Sequence, residues 1–248
     1  EYVADGATIK LADTYWDEDG FVLDSGRKLT IDLNGNSIDF DEKGIVVKNG
    51  ELTVKNGYLY SDTDVFRVES ESSAILNLEE DVQVEAGECC VYIKKQGAVL
   101  NTKAQLVSTG GYAAIQGNGN LESGGIEVNI LGGEVRAVEI AVYFPSTTGL
   151  NISGGKIVGS TAVYHKSGDL NITGGELVGD GEKADFVHNN NGANATGDAL
   201  VIEACDYPGG VPEVSITGGQ FISLKGEAVA YYQQAEEWEL ENEQFITG

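Results

Sequence analysis

The sequence lacks methionine altogether, and its 248 residues include only 3 prolines and 2 histidines, His165 and His188. So few prolines beside 34 glycines exclude a proline-rich linker and point to many tight turns between ordered segments. Basic residues are scarce as well, at 15 against 40 acidic ones, and the net charge is −25. Such a surface repels nucleic acid, anionic lipid and polyanionic sugars, so neither nucleic-acid binding nor membrane insertion is expected. No apolar run reaches the roughly 18 residues that a membrane-spanning helix needs. At 41% hydrophobic content the chain is nevertheless too apolar for a disordered acidic tail.

The three cysteines, Cys89, Cys90 and Cys205, are odd in number and lack the C-x-x-C spacing of a zinc site. They read as small buried side chains. No D-x-D-x-D-G loop appears, so no cofactor or metal ligand set is assigned, and a calcium ion in one of the acidic runs has no motif behind it. The chain starts at Glu1 without a methionine. An excised or processed piece is therefore expected, and a missing signal peptide carries no message.

What the sequence does have is a repeat. Leu150-Asn-Ile-Ser-Gly-Gly-Lys-Ile157 returns as Leu170 to Leu177, Val214 to Phe221 and Val128 to Val135, with weaker copies from Leu29, Leu52, Leu76 and Leu100. Successive starts lie 23, 24, 24, 28, 22, 20 and 44 residues apart. In each copy two apolar residues flank a polar one, the pattern of a short strand with one face buried. The Gly-Gly pair then makes a corner, and a second short strand follows. A third recurs at Ile45 to Val47, Phe66 to Val68, Val91 to Ile93, Ala141 to Tyr143, Ala162 to Tyr164 and Ala228 to Ala230. Three strands and three corners per period of twenty-odd residues describe an all-β fold, a right-handed parallel β-helix (solenoid) of about eight to nine coils. Leu150, Ile152, Ile157, Leu170, Ile172, Leu177, Val214, Ile216 and Phe221 should point into its core. The asparagines 77, 101, 129, 151 and 171 should form an outward row with their amides bonded along the stack.

Residues 1–28 lack the Gly-Gly motif and read as an N-terminal cap with a first irregular coil; residues 29–248 form the helix. Within it, 179–213 break the period and read as a coil carrying an inserted loop, the kind of protrusion that often binds. Phe245-Ile-Thr-Gly248 repeats the start of the motif, which predicts continuation of the native chain.

The stretch DGATIKLADT (5–14), RKLTIDLNGNSI (27–38) and the repeated I-[ST]-G-G-x-[ILF] resemble the pectin-lyase-like β-helix repeats of Gram-positive bacterial surface proteins and phage particles. The resemblance covers nearly the whole chain and is specific for the fold. It implies an extracellular protein of a cell surface or virion surface. The same superfamily includes pectate lyases, polygalacturonases and phage tailspikes, so fold alone does not choose an activity.

Chemistry is harder to find. The Asn-Thr-Asp, Asp-Asp, Gly-His-Gly and Arg-Ile-Lys motifs of polygalacturonases are missing. The three arginines, Arg27, Arg67 and Arg136, form no recurring constellation with aspartates, as a lyase base would require. No catalytic residue is assigned. The acidic runs read as solvated faces. Tyr92, Tyr143, Tyr164 and Tyr231 recur near one position of the coil and, facing outward, would stack on sugar rings. Tyr164, His165, His188, Asn190 and Tyr207 gather around the irregular segment. Together with Tyr92 and Tyr143 they are the candidate binding residues, for a surface glycan or for a neighbouring protein subunit, a second copy included. The expected function is a non-enzymatic structural or adhesive surface module, bacterial or phage, that binds glycan; a polysaccharide-cleaving lyase or glycosidase is the alternative.

Overall fold

A computed structural model describes residues 3–42, 44–70, 72–119 and 125–234. The repeated Phe245 to Gly248 motif lies outside them.

The described residues form a parallel β-helix and contain no α-helix. Every strand pair is parallel, and each pairs with its counterpart one coil away. The coil has three faces. The first carries the repeat itself, with Leu76, Leu100, Val128, Leu150, Leu170 and Val214 in one column. The second is a separate nine-stranded sheet running from Tyr15–Asp17 to Gln220–Ser223. The third starts in the first halves of two long bent strands, Phe21–Asp32 and Ile45–Lys55, and continues through Phe66–Glu69 and Val91–Lys94 to Val229–Gln233. Those two bent strands join the first and third faces into one hydrogen-bonded sheet. Residues 7–23 already form a coil in register with the next, Ala7 against Leu29, Tyr15 against Ile38 and Phe21 against Ile45.

The hydrophobic alternation decides which side chains go inside. Leu150, Ile152, Ile157, Leu170, Ile172 and Leu177 are all buried in a single hydrophobic core. Val214, Ile216 and Phe221 pack against it but are only half-buried, because they belong to the last described rung. The asparagine row is realised in full. Asn101 donates its amide to Asn77 at 2.8 Å, Asn129 to Asn101 at 2.8 Å, Asn151 to Asn129 at 2.9 Å and Asn171 to Asn151 at 3.0 Å. At the Gly-Gly corner the second glycine has positive φ in every copy: 74° at Gly133, 84° at Gly155, 90° at Gly175 and 99° at Gly219. A Cβ at Gly133 would lie 2.1 Å from the Ala104 carbonyl oxygen, so close stacking as well as φ demands glycine there. All three cysteines are free and buried.

Candidate functional site

The third face holds the candidate residues, and its register sorts them. One outward column runs Val22, Val46, Arg67, Tyr92, Gln116, Tyr143, Tyr164, Val201 and Ala230. Tyr92, Tyr143 and Tyr164 therefore share a column, as the sequence suggests. Tyr231 does not: it pairs with Ile202, one position further along the strand. His165 also falls in that neighbouring column, between Phe144 and Ile202, both core residues. Its ring stacks on Phe144 at 5.4 Å and is fully buried, with Nε2 3.0 Å from the Gly168 carbonyl oxygen. The expectation that His165 lines an outer site with Tyr164 is thus replaced: strand alternation turns it into the core. Burial there lowers its pKa from 6.5 to about 4.

The outward column divides sharply. Val22 is 54% exposed, whereas Tyr143 is 4%, Tyr164 1% and Val201 0%. The cause is the irregular segment. After Glu176–Gly179 the chain departs, and it rejoins the third face at Leu200–Ala204. The intervening residues do not protrude as expected. They lie across the face and build a second small core in which Ala193 packs with Ala113, Ile140, Tyr143, Tyr164, Val201 and Ala230. Strands Ile140–Phe144, Thr161–His165 and Leu200–Ala204 are consequently buried on both sides.

Two polar latches hold this cover. The first centres on Lys166 and Glu203, both fully buried, with Nζ 3.3 Å from Oε2. Lys166 donates to the carbonyl oxygens of Asn189 at 2.7 Å and Gly192 at 2.8 Å, and sits 4.5 Å from the Tyr207 ring centre. Glu203 receives the Tyr164 hydroxyl at 2.6 Å and lies 2.5 Å from His188 Nδ1. His188 Nε2 faces Asn190 Oδ1 at 2.7 Å, and the Tyr207 hydroxyl donates to the Asn190 carbonyl at 3.1 Å. The structure so brings together Tyr143, Tyr164, His188, Asn190 and Tyr207, but as the fastening of the cover. The second latch is Asp198. It accepts from Lys183 Nζ at 2.7 Å, Thr196 Oγ1 at 2.7 Å, the Tyr232 hydroxyl at 2.8 Å and the Glu227 amide at 2.6 Å. Burial alone would raise its carboxyl, but these donors hold it below the usual carboxylate value. Phe186 stacks on Tyr232 at 4.4 Å beside it.

Tyr92 lies beyond the cover, on the open part of the face. Arg67 and Lys94 each stand 5.5 Å from its ring centre, and both pair with Glu69 at 3.0 Å. Burial would raise Glu69, yet Lys94 and Arg67 hold its carboxyl below the ordinary value. Two hollows lie on this part of the face. The larger, about 640 Å³, runs along the earlier rungs past Val22, Val46, Arg67, Glu69 and Lys94. The smaller, about 260 Å³, lies between Tyr92 and the cover, lined by Tyr112, Gln116, Asn118, Tyr143, Asn191 and Gly192. Asn118 donates to the Tyr92 hydroxyl at 3.1 Å. Glu69 and Lys94 were not singled out from the sequence, and Arg67 was weighed only as a lyase base, although the repeat places it one coil below Tyr92. Glu203 had a signal too, as a lone charge in the apolar run Leu200 to Ala204.

Comparison with models of known families, with curated proteins and with solved structures finds no match for this chain.

Proposed function

We propose that this chain is a rigid, non-enzymatic surface module, structural or adhesive, displayed outside a bacterial cell or on a phage particle, and that it holds a neutral glycan along the third face. The observation that carries this reading is the groove around Tyr92. An aromatic ring with two cations 5.5 Å from its centre, set on a stiff sheet, offers a platform for the apolar face of a pyranose and donors for its hydroxyls. The parallel β-helix and the resemblance to pectin-lyase-like surface repeats support the same setting. The charge of −25 favours a neutral ligand over a uronate.

The alternative, a polysaccharide-cleaving enzyme, needs a carboxylic acid able to give up a proton near neutral pH. Glu69, in the middle of the groove, is held as an anion by Arg67 and Lys94. Glu203 is sealed behind the cover and engaged by three side chains. Both arrangements favour binding over turnover.

The test is titration calorimetry with cello-, chito-, malto- and mannohexaose, alongside the Tyr92→Ala variant. Binding of at least one hexaose is expected, with a loss of about tenfold or more in the variant, equivalent to about 1.4 kcal/mol. No binding by any of them, or an unchanged variant, refutes the glycan reading. Release of new reducing ends, or of unsaturated products from a uronate polymer, would install the enzymatic one.

A further inference from the structure

Resting on that glycan reading, we infer that the groove captures the end of a glycan chain, with its terminal sugar in the blind pocket between Tyr92 and the inserted segment. A ligand lying along the face passes Val22, Val46 and Arg67 before reaching Tyr92. Those steps span about 14 Å at roughly 4.8 Å per rung, enough for about three sugar units. Beyond Gln116 the same column drops to 4% exposure at Tyr143, and Asn191 and Gly192 stand across it. A chain cannot continue through that wall.

The wall is fixed. The Lys166 ammonium holds the carbonyls of Asn189 and Gly192 from below and is itself locked to Glu203 with no solvent exposure. Asn191 donates its amide to Asn189 Oδ1 at 3.0 Å. Moving this segment would strip the buried Lys166 ammonium of two carbonyl acceptors and the buried Glu203 carboxylate of His188, which is unfavourable.

The pocket also differs from the trough in chemistry. Tyr92, Tyr112, Gln116, Asn118, Tyr143 and Asn191 line it with glycines, and none carries a charge. The trough mixes Arg67 and Lys94 with Asp64, Glu69 and Glu88. A volume of about 260 Å³ falls below the roughly 300 Å³ at which clefts for drug-sized ligands begin and suits a single sugar ring.

The experiment uses the same four hexaoses, each immobilised through its reducing end and, separately, through its non-reducing end. The protein should bind a hexaose in one orientation and lose it in the other. On the matching soluble polymer it should saturate at one module per chain rather than in proportion to chain length. Equal binding in both orientations, with the Tyr92 dependence intact, overturns end capture and leaves glycan binding standing. No binding to any hexaose overturns both.

Discussion

His165→Leu should flatten the pH dependence of stability between about pH 8 and about pH 5. In the folded chain the imidazole is fully buried against Phe144, and burial lowers its pKa from 6.5 to about 4. The unfolded chain takes up the proton near the ordinary value, while the folded chain refuses it until about 4. Below 6.5 the unfolded state therefore binds more protons, and stability falls as the pH falls. At about 1.4 kcal/mol per tenfold change in proton affinity, the whole difference is worth about 3 kcal/mol, of which about 2 is lost by about pH 5. Leucine cannot titrate. It gives up the Nε2 bond to the Gly168 carbonyl, a cost of about 1 kcal/mol that does not vary with pH. Urea unfolding of both proteins at the two pH values, followed by circular dichroism, separates the effects, since every other titratable group is common to both. The wild type should lose about 2 kcal/mol more than the variant on acidification. Parallel losses would mean that His165 is not shielded, and that the assignment of its side chain to the core is wrong.

Lys166→Met should destabilise the cover by roughly 3–5 kcal/mol, because Glu203 would remain buried without its cation, and limited proteolysis should then cut within 183–195. Adding Glu203→Gln should recover part of that loss; no recovery would show that the two charges are not coupled. Ile172→Asp places an unpaired charge in the dry core and should unfold the neighbouring coils, seen as lost amide protection in the strands around 150–177. The Asp198 carboxyl is held below its ordinary value of 3.8, so its contribution is complete above that pH and disappears as the pH falls beneath it. Hydrogen exchange at 183–199 should accelerate below about pH 3.8 before the asparagine row opens, and simultaneous opening would refute the latch.

The rod was legible because one rule repeats. Leu150 and Ile152 around Asn151, then Gly154-Gly155, then Ile157, each state the same alternation and corner, and the next coil states it again at Leu170. Register follows, since slipping by one residue would put Asn171 into the core in place of Leu170 and Ile172. The same logic placed the amides of the asparagine row within reach of each other. It failed where strands lose their alternation. Ile140–Phe144 and Thr161–His165 are apolar or aromatic on both sides, so inward and outward positions look alike, and His165 could be taken for a neighbour of Tyr164 on the outer surface. Tyr231 misled for the same reason, lying one residue out of the column it seemed to continue.

That double-sided apolarity has a structural meaning of its own. A β-helix needs only one buried face per strand; the later rungs of the third face have two, and the outer one must be covered. Tyr143, Tyr164, Val201 and Ala230 outside the rod, and Ala193 folded over them, are the two halves of that requirement. The cover cannot be wholly apolar, because its backbone crosses the sheet without pairing into it, and unpaired carbonyls need donors. Lys166 meets two of them, Glu203 neutralises Lys166, and Tyr164 with His188 satisfies Glu203. The residues that look most like an active site thus follow from holding a second layer in place. The groove arises where that layer stops, between Tyr143 and Tyr92, and a step on an otherwise regular face is what a specific ligand can recognise.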